Sequence, residues 1–517
     1  MTRRKLPIGI QTFRKLREED CYYVDKTAFT LRLIEQGSHY FLSRPRRFGK
    51  SLFLDTLAEL FAGSEALFRG LSVHDRWDWS RRYPVIRISF AEGVLADREA
   101  LDQRIGELLD EQERRLGLEG RLDASIPGRF SALIQQARAA TGERVVVLVD
   151  EYDKPILDNI TQPEIARAMR DGLRNLYSVI KGQDAHIRFA MLTGVSKFSK
   201  VSLFSGLNNL NDITVDAPYS AICGYTETDV DTVFAPELAG LDRQTIRDWY
   251  NGYNWTGEAV YNPFDLLLLF DKRQFRPYWF ETGTPTFLID LLTRRGVDSP
   301  LLGRLVADES LLSTFDVEHI ATEALLWQTG YLTFRGTRQL AAHTEYTLGY
   351  PNMEVESSLN DALIKAYLGD PGLASRQTSR LYDRLLANDF SGLEAHFTQL
   401  FASIPADWYR NNPIARYEGY YASVFYSHFA ALGLDIVLKD ASSHGRLDMA
   451  VRFNGQVYLF EFKVVEITPE GSALQQIKDR GYADKYRAEG TPIHLIGVEF
   501  SRERRAVVEF AVETLTA

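Results

Sequence analysis

The dipeptide Asn454-Gly455 constrains this chain more than any other short stretch. Both central positions of a two-residue type I′ turn require φ > 0, and Asn-Gly meets that requirement with little strain. The stretch Gly445 to Lys463 is therefore expected to be a β-hairpin in which Phe453 pairs with Gln456. Counting down from that pair sets Asp448 opposite Glu461, with Lys463 two residues further on and on the same face. Directly opposed side chains stand roughly 4.5–5.5 Å apart at Cβ, and like charges placed so are destabilising unless something neutralises them. Two facing acids and an ammonium group point to a divalent-metal site, with Asp448 and Glu461 as ligands, suited to phosphodiester cleavage. The competing reading is a surface salt-bridge cluster, which is common and worth little energetically.

The chain has 517 residues, enough for about three domains with cores of their own. Boundaries are expected at 1–222, 223–405 and 406–517. A net charge of −10 does not mark a nucleic-acid binder, so any such surface has to be a local basic patch. Cys21 and Cys223 are the only cysteines and lack metal-ligand spacing, which fits free thiols in a reducing cytoplasm. The basic N-terminus runs into charges at Arg14, Lys15 and Arg17 to Asp20, which interrupt any signal-like apolar run. The longest aliphatic run, Leu266 to Phe270, is far short of a membrane span. A cytoplasmic protein without a membrane partner is expected.

The first 220 residues alternate strand and helix signals, as a doubly wound α/β domain does. Strands are expected at Tyr40 to Leu42, Val85 to Phe90, Val145 to Val149 and Ile187 to Leu192. Helices are expected from Lys50 to Phe61, Arg98 to Arg115, Ser131 to Ala140 and Ile165 to Ile180. From Gly224 the pattern is mostly helical. A helix followed by short strands at Tyr331 to Phe334 and Glu345 to Leu348 suggests a winged-helix-like module. Helices return from Glu356 to Phe401. After a linker at Ile404 to Pro413 come a helix containing Glu418, the hairpin, a helix near Ala473 to Glu489 and a strand at Ile493 to Phe500.

Arg44-Pro45-Arg46-Arg47-Phe48-Gly49-Lys50-Ser51 lies between a strand and a helix, where a phosphate-binding loop belongs. In such a loop backbone N–H groups and Lys50 hold the β- and γ-phosphates, and the Ser51 hydroxyl reaches Mg²⁺. Arg44 stands where the usual pattern has glycine, which puts the entry geometry in question. Its charge, with that of Arg46 and Arg47, is expected to serve the phosphates. Val145 to Val149 ends in Asp150-Glu151, an Mg²⁺-binding Asp and a water-polarising Glu at a strand's C-terminal end. Ile187 to Leu192 ends in Thr193, placed to sense the γ-phosphate. Three strand ends thus converge on one nucleotide.

The stretch Phe41 to Leu52, with Tyr23-Val24-Asp25-Lys26-Thr27, Leu148 to Asp153 and Leu192 to Phe198, resembles bacterial AAA-ATPase-like proteins carrying a C-terminal PD-(D/E)XK nuclease domain. Trp249 to Tyr253, Gln328 to Leu332 and the hairpin match in the same order, so the resemblance covers nearly the whole chain. It implies a multidomain α/β protein: an AAA/ASCE-like P-loop domain, a helical lid or winged-helix-like middle region, and a restriction-endonuclease-like C-terminal domain. In that family arginine replaces the first P-loop glycine as a rule. The resemblance maps the nuclease motif onto Asp448, Glu461 and Lys463, adds Glu418 as a further glutamate near the metal, and favours Gln476 over Gln475 on the following helix. It implies ATP on residues 44–52, Mg²⁺ at Ser51 and Asp150, and a separate Mg²⁺ at the nuclease pair. It also carries suggestions of defence or mobile-element roles.

These readings converge on an ATP-binding module that controls a Mg²⁺-dependent nuclease acting on nucleic acid, DNA before RNA. The alternative is a nucleotide-switched sensor or scaffold whose C-terminal domain binds nucleic acid or a partner without cleaving it. The leucine-rich helices between Leu266 and Leu400 read equally as a coupling core or as a homo-oligomer interface.

Overall fold

The structure is a computed structural model that describes residues 3–120, 125–197, 209–283, 286–295, 297, 299–309, 312, 321–341, 343–404, 418–442 and 445–516. Contacts divide the chain into two compact units, residues 1–283 with 305–352 and residues 284–304 with 353–517.

The first unit is built on a parallel sheet of order β2-β3-β4-β1-β5. Its strands are β1 (His39–Ser43), β2 (Val85–Ser89), β3 (Val145–Asp150), β4 (Ile187–Gly194) and the two-residue β5 (Asn211–Asp212). Val145 to Val149 are buried throughout, which an apolar run survives only when both sheet faces are covered. The P-loop helix (Lys50–Phe61) and helices Arg98–Leu116, Ile126–Thr141 and Pro163–Gly182 belong to this layer. Their starts follow local rules: Asp97 and Ser125 accept backbone N–H bonds as N-caps, and Pro163 occupies the first turn. Because β4 runs parallel between β1 and β3, Ser43, Asp150 and Gly194 emerge together at the C-terminal end of the sheet.

A three-stranded antiparallel sheet, β6 (Leu305–Asp308), β8 (His343–Gly349) and β7 (Thr333–Leu340), completes this unit. The expected helix is present as Thr322–Thr329, the two expected strands run longer than foreseen, and β6 is additional. That helix ends at Gly330 (φ 92°), where an added Cβ would lie 2.7 Å from the ring of Pro45. Glycine there both stops the helix and lets the phosphate loop pack close.

The second unit holds a mixed sheet of order β13-β12-β11-β10-β9. Its strands are β9 (Asp435–Ser442), β10 (Gly445–Phe453), β11 (Gln456–Val465), β12 (Ile493–Ser501) and β13 (Ala506–Leu515). Only β11 and β12 run parallel. On one face of β11, Phe460 and Phe462 meet Phe425 of helix Glu418–Ala430 edge to face at 5.3 and 4.9 Å. On the other face lies helix Ser472–Asp479. The helix expected near 473–489 is interrupted: Gly481 (φ 56°) separates Ser472–Asp479 from a 3₁₀ segment, Tyr482–Glu489. Gln475, Tyr482 and Tyr486 therefore do not share one continuous helical face. No helix among the described residues is long and apolar enough to cross a membrane.

Candidate functional site

In the phosphate loop, Arg47 (φ 69°) and Gly49 (φ 92°) supply the left-handed turns, and Arg44 is not among the left-handed residues. The loop therefore does not need glycine at position 44. The expectation that Arg44 brings charge to a phosphate is corrected. Its side chain is fully buried, donating to the carbonyls of Ser43 (2.8 Å), Thr214 (2.9 Å) and Tyr219 (3.0 Å). Its guanidinium lies 4.0 Å from the ring centre of Trp255, a desolvated cation–π contact worth about 2 kcal/mol. Burial pulls Arg44 down to about 10. Phe48 packs edge to face on Tyr253 and Trp255 at 4.7 and 5.6 Å. Tyr253 and Trp255 thus form a packed floor under the loop, while Trp249 and Tyr250 pack on Phe275.

A cavity of about 430 Å³ opens beside this loop. Arg46 to Leu52 and Glu151 line it, as do Lys26 and Phe264; Arg44, Pro45, Asp150 and Thr193 are not among the lining residues. Lys50, 7 % exposed, donates to the carbonyls of Arg44 (2.8 Å) and Pro45 (2.9 Å). Burial lowers its pKa, with Asp150 and Glu151 acting against that. Asp150 Oδ1 accepts from Thr193 Oγ1 at 2.8 Å and from the Glu151 N–H at 3.1 Å. Glu151 (φ 51°) is pushed up by burial and by the Asp150 charge. The residues present fit a nucleotide polyphosphate: a lysine held by two loop carbonyls, a helix N-terminus, and an Asp-Glu pair at the strand end.

In the second unit the hairpin register follows the turn, with Phe453 opposite Gln456 and Met449 opposite Phe460. The ladder stops one step short of the acids. There the Asp448 carboxylate takes over, Oδ2 accepting from the Phe462 N–H at 2.9 Å. Asp448 Oδ1 accepts from Lys439 Nζ at 2.6 Å. Glu461, 2 % exposed, accepts a hydrogen bond from Gln476 Nε2 and lies 3.5 Å from Lys463 Nζ. Burial and then the Asp448 charge push Glu461 up to about 7, with Lys463 opposing. Its Oε2 is buried and has no hydrogen-bond partner among the described residues. Gln475 instead donates to Asp479 in an exposed pair, so Gln476 is the glutamine at the site.

Strand β12 sets the position of Gln476. Gly497 pairs with Glu461, and a Cβ on it would stand 2.2 Å from the Leu474 backbone nitrogen, so only glycine admits the helix there. Glu499, fully buried, accepts from the N–H groups of Glu470 (2.6 Å), Ser472 (2.6 Å) and Ala473 (3.2 Å) and anchors the helix N-terminus. Lys439, Gly497 and Glu499 were not foreseen. Gly497 and Glu499 lie on the strand expected at Ile493 to Phe500, whereas the mixed polarity of Asp435–Ser442 gave no strand on which to place Lys439. Glu418 opens helix Glu418–Ala430, but its side chain lies outside the described residues, as does the linker at 405–413.

Among the described residues no group of three or more His, Cys, Asp and Glu side chains gathers as a metal cage. Mg²⁺ does not require one, since it is commonly held by one or two carboxylates plus water and phosphate oxygens. The buried, unpartnered Oε2 of Glu461 beside Asp448 fits such a cation.

A family model described as "Predicted AAA-ATPase" matches residues 7–204, and one described as "PD-(D/E)XK nuclease superfamily" matches residues 416–510. The "Uncharacterized protein in vnfD 5'region" of Azotobacter chroococcum mcd 1 is 71% identical over 516 residues, covering 100% of both chains. No solved structure matches the chain. With both domains in this order and a bacterial relative along its whole length, the chain belongs to the bacterial AAA-ATPase-like proteins with a C-terminal PD-(D/E)XK nuclease domain.

Proposed function

We propose that this protein binds and hydrolyses ATP in the cavity of its first unit, and that its C-terminal domain is a Mg²⁺-dependent phosphodiesterase acting on nucleic acid, DNA before RNA. The observation that carries the nuclease half is the Glu461 carboxylate, buried beside Asp448 with one oxygen unpartnered and Lys463 3.5 Å away. Asp448 and Glu461 would hold Mg²⁺, whose bound water becomes a nucleophile near neutral pH. Gln476 fixes the Glu461 carboxylate by hydrogen bonding to its other oxygen. Lys463, on the same strand face, supports negative charge as it develops on the phosphate oxygens. In the first unit, Lys50 and the N-terminus of the P-loop helix would take the phosphates and Ser51 and Asp150 would hold the nucleotide's Mg²⁺, with Thr193 orienting Asp150 and Glu151 placed to polarise the attacking water.

The test is cleavage of plasmid, linear duplex, single-stranded DNA and RNA with Mg²⁺ or Mn²⁺, with and without ATP. Metal-dependent cleavage that Asp448→Ala removes, and that ATP modulates only while Lys50 is present, supports the proposal. An ATP-dependent change in mass without cleavage under either metal supports the sensor or scaffold instead.

A further inference from the structure

We propose that Lys439 is a second active-site lysine: it holds the Asp448 carboxylate while no metal is bound, and meets a phosphate oxygen of the nucleic acid once a cation has taken its place. This inference rests on the phosphodiesterase reading above.

Lys439 comes from β9, not from the hairpin that carries the acidic pair. Two groups occupy the Asp448 carboxylate, one on each oxygen: the Phe462 N–H on Oδ2 at 2.9 Å and Lys439 Nζ on Oδ1 at 2.6 Å. The first is backbone and fixed. The second is the tip of a flexible side chain that is 57% exposed, and an exposed ion pair of this kind is given up cheaply. The neighbouring carboxylate on β9, Asp440, is engaged by Lys485 and by Tyr486 Oη at 2.5 Å, so it does not compete with Asp448 for Lys439.

The backbone supports the same reading. Lys439 has φ 47°, in the left-handed region that favours glycine or asparagine, yet it lies inside a strand. A non-glycine residue held in such a conformation persists where the surroundings impose it, and such residues cluster at ligand sites. A divalent cation binding Asp448 Oδ1 displaces the ammonium and repels it. The freed ammonium can then meet a phosphate oxygen that the cation recruits. Lys463 and Lys439 would then approach the substrate from two different strands, β11 and β9.

The test measures metal binding apart from turnover. Mn²⁺ is titrated into the full-length protein, and the free ion is read by electron paramagnetic resonance, for the wild type, Lys439→Gln, Lys439→Asn and Asp448→Asn. Asparagine tolerates the left-handed backbone, so the second Lys439 variant guards against misfolding of the first. Affinity for a short DNA duplex is measured with Ca²⁺ as the only divalent ion. Both Lys439 variants are expected to bind Mn²⁺ at least threefold more tightly and DNA at least threefold more weakly than the wild type. A smaller change in either quantity overturns the proposal and leaves the metal site standing if Asp448→Asn still abolishes binding. A wild type that binds Mn²⁺ no better than Asp448→Asn removes the metal site and this proposal together.

Discussion

The two candidate sites differ in which charged group lacks a partner. In the first unit the cation is provided for: Lys50 is folded onto two loop carbonyls, and Asp150 is satisfied by Thr193 and a backbone N–H. In the second the anion is left short, since Glu461 Oε2 has no hydrogen-bond partner among the described residues and burial and the Asp448 charge push the carboxyl up to about 7. A buried polar group without a partner costs about 1–3 kcal/mol, more when charged, and a cation returns that energy on binding. The first site is therefore a preformed cavity open to a ligand, and the second is an electrostatic conflict of the kind that a bound cation would relieve.

The largest effects should appear where the conflict is removed. Asp448→Ala or Lys463→Ala is expected to lower metal-dependent cleavage by about a thousandfold or more, while nucleotide binding measured by fluorescence titration stays unchanged. Equal loss of nucleotide binding in these variants would blur the contrast between the sites. Lys50→Ala makes the converse case, with ATP affinity falling about a hundredfold and cleavage without ATP holding at its wild-type level. Buried Arg44 separates packing from phosphate binding. Arg44→Met is expected to cost roughly 3–5 kcal/mol in denaturant unfolding, because three buried carbonyls lose a charged donor. Should Arg44→Met abolish nucleotide binding at unchanged stability, the inward-turned reading of Arg44 is wrong.

Smaller effects test how the second site is held. Gln476→Ala should slow cleavage by about tenfold, whereas Gln475→Ala, which touches only an exposed Asp479, should leave it alone. The pH dependence involves the buried pair His396 and His428, whose Nε2 atoms lie 2.8 Å apart, so one donates and the other accepts. Burial holds His396 at about 4 and His428 well below its ordinary value. Folded-state values below the unfolded one mean that the unfolded chain takes up protons first as pH falls. Stability from this pair is complete above about pH 6.5 and declines as pH drops toward 4, by on the order of 3 kcal/mol for His396. Melting curves across that range should show the decline, and it should flatten in His396→Phe.

How much of this was legible in the sequence depended on sequence distance. The Asn454-Gly455 turn fixed its own register because a two-residue turn leaves no slack, and Asp448 and Glu461 followed by counting. The parallel sheet of the first unit was readable because its strands are nearly pure apolar runs. Strands β9 and β13 escaped because they are mixed in polarity, as Asp435–Ser442 shows with Asp435, Lys439 and Asp440. With β9 missing, Lys439 could not be placed beside Asp448. Arg44 was misjudged because its partners, Thr214, Tyr219 and Trp255, lie about 170 to 210 positions away in the chain. The break at Gly481 was visible as a glycine, but the helical period was read across it as one helix from Ala473 to Glu489.

Anomalous diffraction from crystals grown with Mn²⁺ tests the central claim most directly. The account predicts a peak within coordination distance of both the Asp448 and Glu461 carboxylates, with Lys439 withdrawn from Asp448. An occupied nucleotide site with no peak between those two carboxylates, or carboxylates that point apart, would contradict it.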